Sequence, residues 1–494
     1  MTSAINVPRG LTSPVGLNYR RIWLWLCLGW VVSSADRTIT GPVVTWMIQN
    51  KVSFMATSNP YALGGLIGSI FFAGYMLTQF PGGYAGDRHG HRSVIVISLI
   101  WAAFATLLSG LAVGLVAFIA ARIFTGLGEG AYYANDRTVI AQTTPEHERS
   151  FAMGVVITGL SIGITLATIG GAWLVQLGES VLGRDSAWRM PFFVLCILTA
   201  LVAVGVRREL WRTRTSEDRP AAALGVLSRY AAVFFILVFG VFLIAYYAKL
   251  PSWGLTLLEL LLAFGLIFFV WRVKGQEVSG AIRNRNLVLI YVSFIPVLWN
   301  LWFLGFWAVS IVSAGSGGSF MQAALTAMFT GVAGIIGFPV GGWLADRNVR
   351  HAQGRKSVLL TCTFAQGLLT LGLAIYLQQG GHSPVVLAAL LFFAGLFFNA
   401  LQPVSHAMVA DLATHENRGS AFGTYNLIGE IGAVLSPTIS GTLRDFYNSW
   451  APAVYLDAFL IFASFVILLF VREAAPEPLG TAQGSGAEPA AGVA

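Results

Sequence analysis

The chain has 494 residues, of which 56% are hydrophobic and only 11% are charged. Soluble domains carry about 25% charged residues, and the deficit here extends over almost the whole length, so the composition excludes a soluble domain with one anchor and indicates many spanning helices. The net charge of +8 would suit nucleic acid. The basic residues, however, lie in short loops between apolar stretches, which is typical of cytoplasmic loops. We therefore expect a lipid bilayer as partner and no nucleic acid.

The apolar runs predict fourteen spanning helices, because each crossing needs about 20 apolar residues and the runs lack the alternation of a barrel. The first six lie near 21–48, 61–85, 93–112, 114–141, 150–177 and 188–206. Two more lie near 229–248 and 252–273. The last six lie near 286–313, 321–345, 356–378, 384–410, 419–442 and 451–471. The pattern indicates an all-α membrane protein.

The order of the spans divides the chain into five predicted segments. They are a cytoplasmic N-terminus (1–20), an N-terminal six-helix bundle (21–206), a linker with two extra transmembrane helices (207–285), a C-terminal six-helix bundle (286–472) and a tail (473–494). The tail is rich in Ala, Gly, Pro and Glu, a composition that predicts disorder.

The basic residues also predict the orientation. With the N-terminus in the cytoplasm, only Lys51, Arg184, Lys249 and Arg444 fall in loops outside the cell. The other loops then carry the basic residues on the cytoplasmic side, as the positive-inside rule requires. We therefore expect both termini in the cytoplasm and the protein in the cell membrane, which is the inner membrane where a cell has two.

An internal repeat relates the two bundles. Residues 82–92 read GGYAGDRHGHR and residues 341–347 read GGWLADR, and each stretch follows the second span of its half. Arg149 and Arg418 are each followed by glycine at +5 and +14. The chain therefore reads as a duplicated six-helix unit, and parallel duplicated bundles hold substrate near the bilayer midplane between their halves.

Four ionisable residues interrupt apolar spans, Asp36 and Arg37 in the first and Arg122 and Glu129 in the fourth. A charge at this depth costs roughly 3 kcal/mol on insertion scales, so these residues are expected to face the interior. Arg122 and Glu129 are seven apart and share a helix face. Asp36 and Arg37 point about 100° apart. Arg37 could therefore face a cavity and bind a substrate carboxylate with two hydrogen bonds, while Asp36 faces Arg122.

The repeated loop resembles the signature loop between helices 2 and 3 of major facilitator superfamily transporters. The first copy matches at Gly83, Asp87, Arg88, Gly90 and Arg92, and the second at Gly342 and Asp346. The resemblance covers roughly residues 20–206 and 286–472 and implies two six-helix bundles that rock about a central site.

Within that superfamily the chain is most similar to the anion:cation symporters, which take up sugar acids and other organic anions with protons. The similar stretches are DRTITGP (36–42), GYMLTQFPGG (74–83), RIFTGLGEG (122–130), Glu148-Arg149 and GTYNLIGEIG (423–432). The resemblance favours Glu129 as a proton site. We expect Asp36 and Glu129, with Arg122, to carry the coupling proton and Arg37 to bind the anion. The alternative is a purely structural bridge between Asp36 and Arg122.

The second bundle offers polar and aromatic side chains for a small polar solute. They are Trp299, Asn300 and Trp302 on the seventh core helix, Asn399 and Gln402 on the tenth, and Tyr425, Asn426 and Glu430 on the eleventh. Tyr75 and Gln79 share a face of the second helix, where the resemblance implies substrate contacts. The alternative for the second bundle is that its polar groups join helices to one another.

The signature loop and its repeat predict gating residues at the cytoplasmic membrane edge. They are Gly83, Asp87, Arg88 and Arg92 in the first copy and Asp346 and Arg347 in the second. The resemblance implies a latch in which Asp87 binds helix 11 and nearby arginines when the inner side is closed. The alternative is simple topological charge.

These features together predict a proton-coupled symporter of a small organic anion, acting as a monomer and without a cofactor or metal. The competing prediction is a proton-driven exporter of an amphipathic compound or drug. Fourteen-span drug:proton antiporters resemble one another through a glycine-proline kink in the fifth helix, and the fifth span here has no proline. A membrane enzyme or sensor is disfavoured because the outer loops are short and no nucleophile or metal-ligand motif occurs.

Overall fold

The computed structural model describes residues 19–145, 149–214, 216, 218–248, 283–350, 354–413 and 418–472, with six isolated positions between 254 and 272. The regular secondary structure of these residues is helical. The first part contains α1 (Tyr19–Gln49), α2 (Pro60–His89), α3 (His91–Leu111), α4 (Leu115–Glu129), α5 (Tyr132–Thr143), α6 (Arg149–Val181), α7 (Met190–Trp211) and α8 (Pro220–Tyr247). The second part contains α9 (Arg285–Ser316), α10 (Phe320–Ala327), α11 (Phe329–Arg350), α12 (Lys356–Gln378), α13 (Pro384–Leu412), α14 (Arg418–Tyr447) and α15 (Ala451–Leu469). Two short 3-10 helices lie at Ser53–Met55 and Arg184–Arg189.

Eleven helices in the described part of the chain are long and apolar enough to cross a membrane. The helices α1 and α14 are long enough, but their mean hydropathy is lower because they carry polar residues that face the interior. Thirteen of the fourteen predicted spans coincide with described helices. The eighth, 252–273, lies mostly outside the described residues. An all-helical, multi-pass membrane protein is therefore confirmed, whereas the count of fourteen stays a prediction.

Two predicted spans are each broken into two helices. The fourth span is interrupted between Glu129 and Tyr132, and the span 321–345 is interrupted between Ala327 and Phe329. At the first break Gly130 lies so close to α2 that a Cβ there would be 2.1 Å from the Tyr75 carbonyl oxygen. The break therefore brings the end of α4 against α2, beside the ionisable residues.

The first half of the protein (α1–α7) and the second half (α9–α15) use equivalent helices for their internal packing. Helix α1 packs on α6, and α9 packs on α14. The repeated glycines explain this similarity, because a Cβ on Gly163 would be 2.4 Å from the Val31 carbonyl oxygen and one on Gly432 would be 2.1 Å from that of Ile295. Only glycine allows two helix backbones to approach this closely.

The halves also meet through equivalent pairs, α2 with α14 and α11 with α6. Helix α8, from the predicted insertion, packs against α2, α3 and α4 and therefore lies on the first half. The predicted N-terminal segment, apart from Tyr19 and Arg20, and the tail 473–494 lie outside the described residues.

Candidate substrate and proton site

The centre of the first half contains an arginine bound to a carboxylate. Arg37 on α1 donates from Nε to Glu129 Oε2 at 2.9 Å and from Nη2 to Ser33 Oγ at 2.9 Å, and Ser33 Oγ donates to the same carboxylate oxygen at 2.8 Å. The exposed fractions of the Arg37 and Glu129 side chains are 3% and 2%. Ser33 and Arg37 are four residues apart on α1, so both can reach the end of α4. Glu129 Oε1 has no hydrogen-bond partner among the described residues.

Aromatic rings surround the Arg37 guanidinium. Its carbon lies 4.1 Å from the Tyr75 ring centroid, 5.5 Å from that of Trp30 and 6.0 Å from that of Trp302. The negative faces of such rings attract a cation, most strongly where water is excluded. Because Trp302 belongs to α9 of the second half, Arg37 lies where the two halves meet.

A second ion pair lies one residue away on another face of α1. Arg122 donates to Asp36 Oδ1 at 2.7 Å and to the Asp36 carbonyl oxygen at 3.2 Å, and Thr106 donates to Asp36 Oδ2. The Arg122 guanidinium carbon is 4.7 Å from the Phe71 ring centroid. The two charged residues on one face of α4 therefore pair with two different residues of α1. Arg122 pairs with Asp36, and Glu129 pairs with Arg37.

Polar residues of the second half join this cluster through α2. Asn426 on α14 donates to Gln79 Oε1 at 2.8 Å, and Gln79 donates to Glu430 Oε1 at 3.3 Å. Gln79 is one helical turn from Tyr75, which contacts Arg37. Glu430 Oε2 has no partner among the described residues. The structure therefore brings Arg37, Tyr75, Gln79 and the α14 pair together at the interface.

Three other predicted binding residues of the second half form hydrogen bonds within that half. Asn300 donates to Asp457 Oδ2 at 2.6 Å, Asn399 donates to the Gly395 carbonyl oxygen at 2.7 Å, and Tyr425 shares a hydrogen bond of 2.8 Å with Ser405. Trp299 and Gln402 are buried, and neither Trp299 Nε1 nor Gln402 Nε2 has a partner among the described residues. Sequence analysis predicted binding tryptophans and amides on α9 and α13. Among their described contacts, Trp302 is the one that approaches Arg37.

The first copy of the signature loop lies away from this cluster. The Asp87 side chain is 75% exposed, with His91 3.4 Å away. The Arg88 guanidinium lies over the Tyr84 ring, and Gly83 is partly exposed. Arg92 is buried and donates to Thr213, in the segment that follows α7, at 3.0 Å. The described contacts do not include the latch between Asp87 and α14, which stays a prediction for the state closed at this end.

The second copy of the loop resembles the first. Arg355 binds Asp346 at 3.4 Å and also binds Asp411, and Arg347 lies over the Trp343 ring. Both copies turn at a glycine with positive φ, +89° at Gly90 and +72° at Gly354. L-residues rarely adopt this conformation, which explains why glycine occurs in both copies.

Comparison with known proteins now identifies the family. The sequence profile of the Major Facilitator Superfamily matches residues 26–334 and 316–492. The chain belongs to this superfamily. Members of this superfamily are transporters, as are the relatives described below. The chain is therefore a transporter and not an enzyme.

Two curated transporters of this superfamily show the similarity at the sequence level. The hexuronate transporter of Bacillus subtilis (strain 168) is 23% identical over 93% of this chain and 96% of that protein. The D-galactonate transporter of Escherichia coli O6:H1 is 25% identical over 83% of this chain and 86% of that protein. The predicted resemblance to transporters of sugar acids and organic anions is therefore confirmed.

A solved structure shows the same fold. The D-xylose-proton symporter has a TM-score of 0.65 with 17% identity, and the match covers 93% of this chain and 100% of that chain. It confirms the major facilitator fold predicted from the signature loops.

Among the described residues no cluster of His, Cys, Asp or Glu is arranged to hold a metal ion.

Sequence reasoning missed several residues around the two buried ion pairs. Ser33 and Thr106 contact the two carboxylates, but single hydroxyl residues have no distinctive pattern in an apolar span. Asp136 and Arg137 were detectable, because they repeat the adjacent acid-arginine pair of the first span near the end of the fourth. The sequence analysis assigned Arg137 no role at the site. It lies on α5, with its guanidinium beside the Trp30 ring.

Proposed function

We propose that this transporter takes up a small organic anion, a carboxylate or a sugar acid, together with a proton, by alternating access. The observation that carries the proposal is the Arg37–Glu129 pair, buried where the two halves meet and surrounded by aromatic rings from both. The sugar acids named for the hexuronate and D-galactonate relatives support the substrate class.

The pair suggests how a proton and an anion move together. With the site empty, Glu129 neutralises Arg37. Protonation of Glu129 leaves Arg37 without a counter-charge, and an unpaired charge in an apolar interior is strongly unfavourable. A substrate carboxylate then replaces Glu129 on the guanidinium, with two hydrogen bonds where the geometry permits. Each state of the pair is electrically balanced, whereas a proton or an anion alone would leave one charge uncompensated.

The remaining proposed roles follow the positions of the side chains. Asp36 and Arg122 complete the coupling group, because Asp36 adjoins Arg37 in the chain. Gln79, Asn426 and Glu430 offer hydrogen bonds to substrate hydroxyls, and Tyr75 and Trp302 offer ring surfaces to its carbon chain. We further propose that the protein acts as a monomer in the cell membrane, with both termini in the cytoplasm.

The test uses purified protein in vesicles with an imposed pH gradient and labelled galactonate. The wild-type protein should accumulate galactonate when the outside is acidic and should lose the accumulation with a protonophore. Glu129→Gln should abolish accumulation and keep exchange of galactonate across the membrane, because the neutral amide mimics the protonated acid. Asp36→Asn should weaken accumulation in the same assay.

The matched control is Glu179→Gln, which alters an exposed carboxylate near the end of α6 and should accumulate galactonate normally. Accumulation by Glu129→Gln equal to that of the wild type would refute the coupling role. Efflux driven by the same gradient would instead indicate the exporter.

A further inference from the structure

A second arginine lies beside the same indole ring as Arg37. The guanidinium carbon of Arg37 is 5.5 Å from the Trp30 ring centroid, and that of Arg137 on α5 is 5.7 Å from it. The two cationic carbons are therefore at most about 11 Å apart, the sum of these distances. Trp30 and Arg37 are seven residues apart on α1 and share a face, so the two cations lie along one wall of the first half.

The Arg137 side chain keeps part of its hydrogen-bonding capacity. Nη1 donates to the Met153 carbonyl oxygen at 3.2 Å, and Nε lies 3.6 Å from Asp136 Oδ1, too far for a hydrogen bond. Nε has no hydrogen-bond partner among the described residues. The side chain is 20% exposed, compared with 3% for Arg37. A guanidinium with an unused N–H donor can still bind an anionic ligand.

Neighbouring residues hold Arg137 in a defined position. The fully buried Asp136 accepts a hydrogen bond of 2.7 Å from the Trp30 indole nitrogen through Oδ2 and faces Arg137 with its other oxygen. The Tyr133 ring centroid is 5.5 Å from the Arg137 guanidinium carbon. This arrangement differs from that of a surface arginine, whose long side chain would be mobile in water. Asp136 is thus a positioning residue, and it offsets the charge of Arg137 in the empty site as Glu129 does for Arg37.

Arg137 faces the second half, as Arg37 does. His406 of α13 lies within electrostatic range of Arg137, and Glu430 of α14 lies within the same range of Tyr133. His406 packs on Tyr425, with ring centroids 5.1 Å apart. Both arginines therefore lie close to the second half.

We propose that Arg137 is a second anion-binding residue and that the preferred substrate is a short dicarboxylate. One carboxylate binds Arg37 and the other binds Arg137, while a proton on Glu129 and a second proton on Asp136 keep the occupied site electrically neutral. In an extended six-carbon diacid the carboxyl carbons are about 6 Å apart, from five carbon–carbon bonds of roughly 1.5 Å at tetrahedral angles. A guanidinium carbon lies about 4 Å from the carbon of a carboxylate that it binds with two hydrogen bonds. Such a diacid can therefore join guanidinium carbons up to about 14 Å apart, which exceeds the upper limit for these two arginines. The inference rests on the proposed function, because it assumes that Arg37 binds the first carboxylate.

Galactarate and galactonate are suitable probes. Both have six carbons, and they differ at one end only, where galactarate has a carboxylate and galactonate a hydroxymethyl group. The wild-type protein in vesicles should have a KM for galactarate lower than that for galactonate by about tenfold or more, the effect of a charged hydrogen-bonding pair.

Substitution of Arg137 tests which residue causes the preference. Arg137→Gln should raise the KM for galactarate by about tenfold or more and leave the KM for galactonate unchanged. Arg137→Lys keeps the charge but loses the paired donors, so its KM for galactarate should lie between those of Arg137→Gln and the wild type. The matched control is Arg212→Gln, which removes the same charge from a side chain 62% exposed and should change neither KM.

The outcomes separate the two proposals. If the wild type takes up galactonate with protons but does not prefer galactarate, the dicarboxylate inference is refuted and the proposed function stands. Equal effects of Arg137→Gln on both substrates, or on neither, also refute it. If neither acid is taken up with protons, the proposed function itself is refuted. Normal galactonate uptake shows that each variant is folded, and Arg137→Lys serves as the test if Arg137→Gln does not fold.

Discussion

Each of three arginines in the first half has a carboxylate and an aromatic ring as neighbours. Arg122 contacts Asp36 and Phe71, Arg37 contacts Glu129 and Tyr75, and Arg137 contacts Asp136 and Trp30. A buried charge is tolerated when a counter-charge and further contacts replace water. The sequence predicted inward-facing charges because lipid excludes them. It did not predict the Arg37–Glu129 pair, because the rotation of α1 against α4 depends on packing.

The Asp36–Arg122 pair gives a prediction about stability. Arg122→Met should lower the free energy of unfolding by about 3–5 kcal/mol, because it leaves the Asp36 carboxylate buried without its counter-charge. The measurement is denaturant unfolding of the purified protein in detergent. The double variant Asp36→Asn/Arg122→Met should recover part of the loss, since it removes the orphaned charge. A single variant as stable as the wild type would contradict a structural contribution from this pair.

At the scale of elements, glycines determine how closely the helices approach. On α4, a Cβ at Gly126 would be 2.2 Å from the Phe71 carbonyl oxygen, and Gly130 is equally close to α2 one turn later. The spacing of four residues is the small-residue pattern of closely packed membrane helices. This packing brings Glu129 to Arg37, and it was not predictable from the glycine spacing, because several spans carry similar glycines and only some of those glycines touch a neighbouring helix.

A pair of matched substitutions tests this role. Gly126→Ala should destabilise the protein by about 1–3 kcal/mol, as other overpacked cores are destabilised, and should reduce galactonate uptake through displacement of Glu129. Gly170→Ala is the control, because a Cβ there meets nothing within 4 Å. Thermal unfolding in detergent compares the two variants. Equal melting temperatures would show that the contact between α4 and α2 tolerates a methyl group.

The whole molecule is closed at one end, where α1 and α2 meet α9 and α14. A Cβ at Gly41 would be 2.1 Å from the Phe306 carbonyl oxygen and one at Gly65 would be 2.2 Å from that of Pro437. Nearby, Asp445 accepts a hydrogen bond of 2.7 Å from the backbone of Ala62. The orientation predicted from basic residues places this end outside the cell. At the opposite end the Asp87 side chain is largely exposed.

Closure at this end should therefore be sensitive to side-chain size. Gly65→Leu should reduce galactonate uptake by about tenfold or more, because a collision of this kind costs roughly 1–3 kcal/mol in the closed state alone. The variant should still bind galactonate, as measured by thermal stabilisation in detergent. Gly240→Leu, which adds the same side chain in open space on α8, should transport normally. Wild-type uptake by Gly65→Leu would show that transport does not require this closed end.

The amino-acid sequence by itself determined the helical membrane architecture and the family. Those properties follow from apolar run length, from the exclusion of charge by lipid and from motifs that are contiguous in the chain. Only the tertiary structure decided that Glu129 is the partner of Arg37, that Asn300 bonds inside the second half and that Arg137 approaches Trp30. Such contacts depend on how far helices rotate and where they break, and those quantities are set by packing between residues that lie far apart in the sequence.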